Sequence, residues 1–278
     1  MVKYTILGAT GACGSAVLRC LLNDRQQHEQ LCILVRSEDK LRRLFPALPT
    51  ESTALRIVQG TSTDTAALQE CCRDAATVFV CVGANESKPG MSLLYDTAVA
   101  VVAALRNLRD EAGGAYKPPT VIQLRTASLN PGLSRHTPAV VTSFVKWGMH
   151  HLYTDISRAC NLYQSVAVTE PSDKAAQSND GASPLLKYIF ADPPTIHDPD
   201  GTECTGYKLI VSGKHPPAVS YADLGAAMCE LSRRREELAN QAFGVIATGK
   251  PKTTWGLLLW AWLFVLCDRV WGLLYLGV

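Results

Sequence analysis

The chain has 278 residues, 47% hydrophobic and 19% charged, with 27 basic and 25 acidic side chains leaving a formal charge of +2. That apolar content excludes a disordered protein, and the length suits one or two domains with a sizeable core. A near-neutral balance without a dense basic stripe argues against nucleic acid as a partner.

The first apolar run, Val2–Leu7, ends in glycine and lacks the long apolar region and cleavage site of a secretory signal. No leader is therefore expected, and a cytoplasmic location is. Val2–Leu7, Leu31–Val35, Leu55–Gln59, Thr77–Val82 and Thr120–Leu124 read as buried strands rich in Val, Ile and Leu. Between them Gly14–Asn23, Glu38–Phe45, Thr65–Asp74 and Leu93–Glu111 have helical character, the third with Asp64 as its N-cap. Strands separated by helices imply βαβ crossovers, so the predicted class is α/β, a doubly wound, Rossmann-like parallel sheet. Further on, His150–Val168 reads as a long helix, Ser172–Ser183 as a polar loop, and Leu185–Ala191 as a sixth strand before a turn at Pro193 and Pro194. Tyr207–Ser212 suggests another strand, and Tyr221–Arg233 a helix capped by Ser220. The expected organisation is one Rossmann-like domain over residues 1–254, with a small substrate-facing part at about 185–220, and an apolar helical tail at 255–278.

Within that tail Trp255–Cys267 is apolar for about 13 residues, short of the ~20 needed to span a bilayer. Extending it to Val278 places Asp268 and Arg269 near its centre, where each charge costs roughly 2.5–3.5 kcal/mol. With tryptophans at 255, 260, 262 and 271, a helix packed on the domain or lying at a membrane surface ranks ahead of a span. The 10 cysteines are scattered, without C-x-x-C or Cys/His spacing, which points to buried thiols in a reducing compartment and no metal site.

The turn after the first strand, Gly8-Ala9-Thr10-Gly11-Ala12-Cys13-Gly14, leads into a helix. Gly8 permits the tight turn, Gly11 lets backbone N–H groups approach a diphosphate, and Gly14 lets the helix pack closely on the sheet. Thr10 and Ala12 belong to the same cradle. At the end of the second strand Arg36, with Ser37 and Lys40, replaces the carboxylate that favours NAD and suits the 2′-phosphate of NADP, with NAD left open. A solvated arginine at a strand end would look the same. Gly60–Asp64 follows the third strand where an adenine would lie, and Gly83 follows the fourth near the nicotinamide ribose.

The glycine turn, Leu34-Val35-Arg36-Ser37, the Gly60–Asp64 loop and Ser220–Leu224 together resemble atypical short-chain dehydrogenase/reductases with an NmrA-like NAD(P)H-binding domain. Thr120–Leu133, Tyr153–Ala159 and Ala247–Gly256 are similar to the averufin oxidase A family of fungal secondary metabolism. The resemblance implies a cytosolic oxidoreductase acting on a small, polyketide-derived, aromatic molecule. It also implies a serine and a tyrosine that polarise the substrate oxygen, here Ser128 and Tyr153, with a lysine one turn after the tyrosine. That lysine is missing: the position is Ser157, and Arg158 beside it is rotated by about 100° around the helix. Tyr153 therefore reads equally as a proton donor and as a packed helix tyrosine, Thr126 could replace Ser128, and Lys146 or His150 could enter from the preceding segment. The missing lysine also keeps two other readings open, a dinucleotide-sensing regulator and a cofactor-bound lyase or isomerase.

Overall fold

Strands that are apolar on both faces must be covered on both faces, and the chain does this by laying helices on either side of one sheet. The computed structural model describes residues 2–24, 29–49, 52–84, 86–169, 184–198 and 201–250. The expected tail at 255–278 and the polar loop at 172–183 lie outside the described residues. β1 (Val2–Leu7) pairs in parallel with β2 (Glu29–Val35) and with β4 (Thr77–Val80), so Leu7 lies between Leu34 and Val80. β3 (Leu55–Gln59) continues the sheet beyond β2, while β5 (Thr120–Leu124) and β6 (Lys187–Asp192) continue it beyond β4. The order is β3-β2-β1-β4-β5-β6-β10-β8, parallel except where β8 (Tyr207–Ile210) runs antiparallel to β10 (Gln241–Ala247). The direction of winding reverses between β1 and β4, which opens a crevice at the carboxyl ends of those strands. This is a Rossmann-like α/β fold.

Alternation along the strands divides the core. Tyr4 and Ile6 pack with Val17, Leu18, Leu41, Leu224 and Met228, beneath α1 (Ala12–Asn23), α2 (Glu38–Leu44) and α8 (Tyr221–Arg233). Leu7, Val78 and Val80 face the other way, onto Leu68, Val101, Leu105 and Tyr163 of α3 (Thr65–Cys72), α4 (Leu93–Ala112) and α7 (His150–Thr169). Each fully buried aliphatic side chain contributes about 1.5–3 kcal/mol. Two buried hydroxyls tie the layers together: Thr5 Oγ1 donates to the Cys71 carbonyl at 2.7 Å, and Ser232 Oγ donates to Thr77 Oγ1 at 2.8 Å.

Two features were not anticipated from the sequence, and the region between 185 and 220 is divided between two sheets. β10 was not anticipated, because Gly244 interrupts its apolar run and the strand is held by partners on both sides rather than by propensity. The stretch after β5, for which no element was predicted, is helical: α5 (Pro131–Ser134) starts with Asn130 accepting from the Gly132 N–H at 2.8 Å, and α6 (Ala139–Gly148) follows. Of the elements between 185 and 220, β6 and β8 belong to the central sheet. β7 (Thr195–His197) and β9 (Ala218–Ser220) form a separate parallel pair.

Candidate active site

The glycine turn sits at the carboxyl end of β1. Gly8 has φ +89°, and a Cβ there would lie 2.8 Å from the Cys81 carbonyl oxygen, so both conformation and crowding demand glycine. A Cβ on Gly14 would fall 2.2 Å from the Gly8 carbonyl oxygen, so α1 rests directly on the turn. Gly11 is different. It is exposed, its φ of −90° suits any residue, and a Cβ would meet only the Gly8 oxygen at 3.4 Å. Nothing inside the protein requires glycine at this position.

Gly11 is also the N-cap of α1, which has no side-chain cap and no acidic residue in its first turn. The N–H groups of Ala12, Cys13 and Gly14 have no intrahelical acceptor by position. Desolvation pushes the Cys13 thiol up to about 12, so no thiolate opposes an anion there. An uncapped helix terminus, a turn whose Cβ position is vacant at Gly11, and the partly buried Thr10 and Ala12 together fit the diphosphate of a dinucleotide.

At the end of β2, Arg36 is exposed and its carbonyl accepts from Gln59 Nε2 at 3.3 Å. Ser37 is the N-cap of α2: its Oγ accepts from the Lys40 N–H at 3.2 Å, which leaves its own proton free to donate. Of the two acidic residues in the first turn of α2, Glu38 and Asp39, Glu38 is paired with Arg42 at 2.6 Å. Arg36 and Lys40 both present exposed cations at this edge. Asp64 caps α3 by accepting from the Ala67 N–H at 3.1 Å, and the loop before it is tied to α4 by Thr97 Oγ1 donating to Ser62 Oγ at 2.8 Å. Gly83 is exposed, with nothing within 4 Å of a Cβ built on it. Its neighbour Asn85 lies outside the described residues.

Beyond β5, Ser128 is half-buried in a 3₁₀ turn spanning Ala127–Leu129, where its N–H approaches Thr126 Oγ1 at 3.4 Å. Tyr153 is half-buried on the first turn of α7 and packs against the α4/α7 side of the core. Among the described residues none bonds its hydroxyl. Arg158 does not take the missing lysine's place: its guanidinium lies over the Tyr95 ring of α4, 3.9 Å from the centroid. Lys146 and His150 are exposed. His150 and His151 rings meet edge-on at 5.2 Å, and among the described residues no group of three side chains could hold a metal.

A family model described as NAD(P)H-binding matches residues 8–109. An averufin oxidase A of Dothistroma septosporum is 48% identical over 264 residues, covering 93% of this chain and 88% of the relative. An averufin oxidase A of Aspergillus flavus is 44% identical over 260 residues, covering 93% of this chain and 87% of the relative. The chain belongs to the averufin oxidase A family. Among solved structures, a short-chain dehydrogenase/reductase of Veillonella parvula in complex with NADP superposes with a TM-score of 0.62 at 18% identity, over 90% of this chain and 97% of that one. At that identity the likeness concerns the fold. Membership and fold together make the protein an NAD(P)-dependent oxidoreductase.

In this averufin oxidase A relative the carboxyl edge also holds a group that sequence reading missed. Asp192, at the end of β6 and fully buried, receives both Arg125 from the end of β5 and Asn130. Burial pushes the Asp192 carboxyl up, opposed by the Arg125 guanidinium and the Asn130 amide. The available signal was weak: a charge of opposite sign closing each of two apolar strands. It becomes meaningful only once β5 and β6 are known to be neighbours.

Proposed function

We propose that the protein uses NADP(H) to move a hydride between the nicotinamide and a carbonyl or carbinol carbon of an aromatic, polyketide-derived intermediate. The observation that carries the cofactor half is Gly11, a glycine that the fold does not need, beside an uncapped helix N-terminus. Arg36, Lys40 and the free proton of Ser37 support the 2′-phosphate form, through charge-assisted bonds of about 1.5–3 kcal/mol each. Asp64 and Gly83 line the adenine and nicotinamide-ribose ends of the same edge. When bound, the nicotinamide supplies or accepts the hydride.

The chain's own task is then to hold the substrate carbon and manage charge on its oxygen. Ser128 donates a hydrogen bond to that oxygen, which strengthens as negative charge develops. Tyr153, on the first turn of α7, relays the proton to or from it. The substrate class follows the relatives' names, which specify averufin. We also place the protein in the cytoplasm, with segment 255–278 contacting a membrane surface; among the described residues no helix is long and apolar enough to cross one.

Incubation with NADPH and a panel of anthraquinone-type ketones tests the chemistry. Loss of absorbance at 340 nm, stronger with NADPH than with NADH, is expected. Tight NADPH binding without turnover anywhere on the panel would remove the ketone-reduction reading.

A further inference from the structure

Both ends of the segment that carries Ser128 are tied to one carboxylate. Arg125 gives Asp192 two parallel bonds, Nε to Oδ1 at 2.7 Å and Nη2 to Oδ2 at 2.6 Å. Asn130 Nδ2 donates to the same Oδ2 at 2.7 Å, while its Oδ1 accepts from the Gly132 N–H. The main chain repeats the attachment: the Arg125 N–H donates to the Ala191 carbonyl at 2.8 Å and the Ala127 N–H to the Pro193 carbonyl at 2.9 Å. Asp192 is fully buried and the Arg125 side chain 14% exposed, its guanidinium lying 4.9 Å from the Phe190 ring centroid.

Stability is a weak reason to bury such a pair, because two charges taken from water recover their desolvation cost only with excellent geometry, and an apolar pair often serves the fold as well. What a bidentate fork supplies is a fixed angle and distance. The turn between the two ties needs that help. It is a single 3₁₀ turn closed by Leu129 N–H to Thr126 carbonyl at 3.0 Å and Asn130 N–H to Ala127 carbonyl at 3.2 Å, with a 3.4 Å side-chain cap. Such turns are short and their bonds poorly aligned.

We propose that Asp192 is a positioning residue: by gripping Arg125 and Asn130 together it fixes the Ala127–Leu129 turn, and with it the Ser128 hydroxyl, at the carboxyl edge of the sheet. The proposal rests on the role assigned to Ser128 above. An error of about 1 Å in such a group costs up to ~100-fold in rate, so rigid seating at both ends has a catalytic consequence.

The test uses the full chain, NADPH and a ketone it reduces. Asn130→Ala releases one end of the turn and leaves the ion pair whole. Asp192→Asn keeps the shape and removes the charge. Each is measured alone and combined with Ser128→Ala, with NADPH affinity and thermal midpoint recorded for every variant. Asn130→Ala is expected to lower kcat about 10-fold without changing NADPH affinity, and neither substitution should lower kcat further once Ser128 is alanine. Wild-type kcat in Asn130→Ala overturns the proposal, as does full additivity with Ser128→Ala, which would make the network structural only. If Asp192→Asn does not fold, the Asn130→Ala cycle decides alone. A Ser128→Ala enzyme at wild-type kcat is a different result: it removes the serine from the mechanism, and this inference with it.

Discussion

Gly11 and Gly14 share one turn but answer to different neighbours. Alanine at Gly14 would drive a methyl to 2.2 Å from the Gly8 oxygen, and such overpacking costs about 1–3 kcal/mol or more. Gly14→Ala should therefore lower the thermal midpoint whether or not cofactor is present. Valine at Gly11 meets no such obstacle, so it should leave the apo midpoint nearly unchanged and weaken NADPH binding by at least ~10-fold in calorimetry, because the side chain occupies the space proposed for the diphosphate. Equal midpoint losses for the two would contradict that division. Arg36→Ala separates the coenzymes: NADPH affinity should fall roughly 10- to 100-fold, the equivalent of one charge-assisted contact, while NADH affinity stays within about 2-fold. Residues of this kind were legible in the sequence because their neighbours are near in the chain. Asp192 was not, since its partners Arg125 and Asn130 reach it only through the pairing of β5 with β6.

Among the elements, α4 shows how a helix end can depend on a distant residue. Its own cap, Ser92, makes no capping bond, and the Leu94 and Tyr95 N–H groups are instead received by the buried Asp155 carboxylate of α7 at 2.9 and 3.0 Å. Asp155→Ala strands two donors in the interior and should cost about 2–4 kcal/mol, read as a lowered thermal midpoint; Asp155→Asn, which keeps one acceptor, should cost less. β7 supplies the pH dependence. Burial holds the His197 imidazole below its ordinary value of about 6.5. As pH falls through the window beneath 6.5, the unfolded chain takes up this proton before the folded one does, so the stability present above that value is progressively lost. His197→Gln should flatten that part of the stability–pH curve, and an unchanged slope would show that other groups set it. Most of the elements were readable from periodicity: β3, β5 and α8 have the bounds expected of them, α8 with its Ser220 cap accepting from the Asp223 N–H at 2.9 Å. β10 and α6 were not, because the first is held by pairing on both sides and the second exposes Val140, Val141, Phe144 and Trp147, which removes the polar face that announces a surface helix.

For the whole molecule, the sheet order brings the glycine turn, Arg36, Gly83, Ser128 and the Arg125–Asp192 pair to one edge, since every parallel strand ends there. The end of β10 lies at that edge as well, shortly before the apolar sequence that begins at Trp255. The proposed membrane contact of 255–278 predicts that full-length protein partitions with a membrane fraction and that a chain ending at Thr254 does not. Identical distribution of the two in fractionation would exclude that role.

By itself the sequence determined the class of fold and the family, because strand and helix periods, a glycine turn and a run of short motifs are local patterns that survive being read in one dimension. It also determined that the customary lysine after Tyr153 is absent. Only the tertiary structure decided that Arg158 is committed to Tyr95, that Asp155 caps a helix it does not belong to, and that one carboxylate gathers both ends of the Ser128 turn. The Asp155 and Asp192 pairings join buried charge to partners across long stretches of chain, and burial is the property that makes such partners obligatory while leaving no periodic trace.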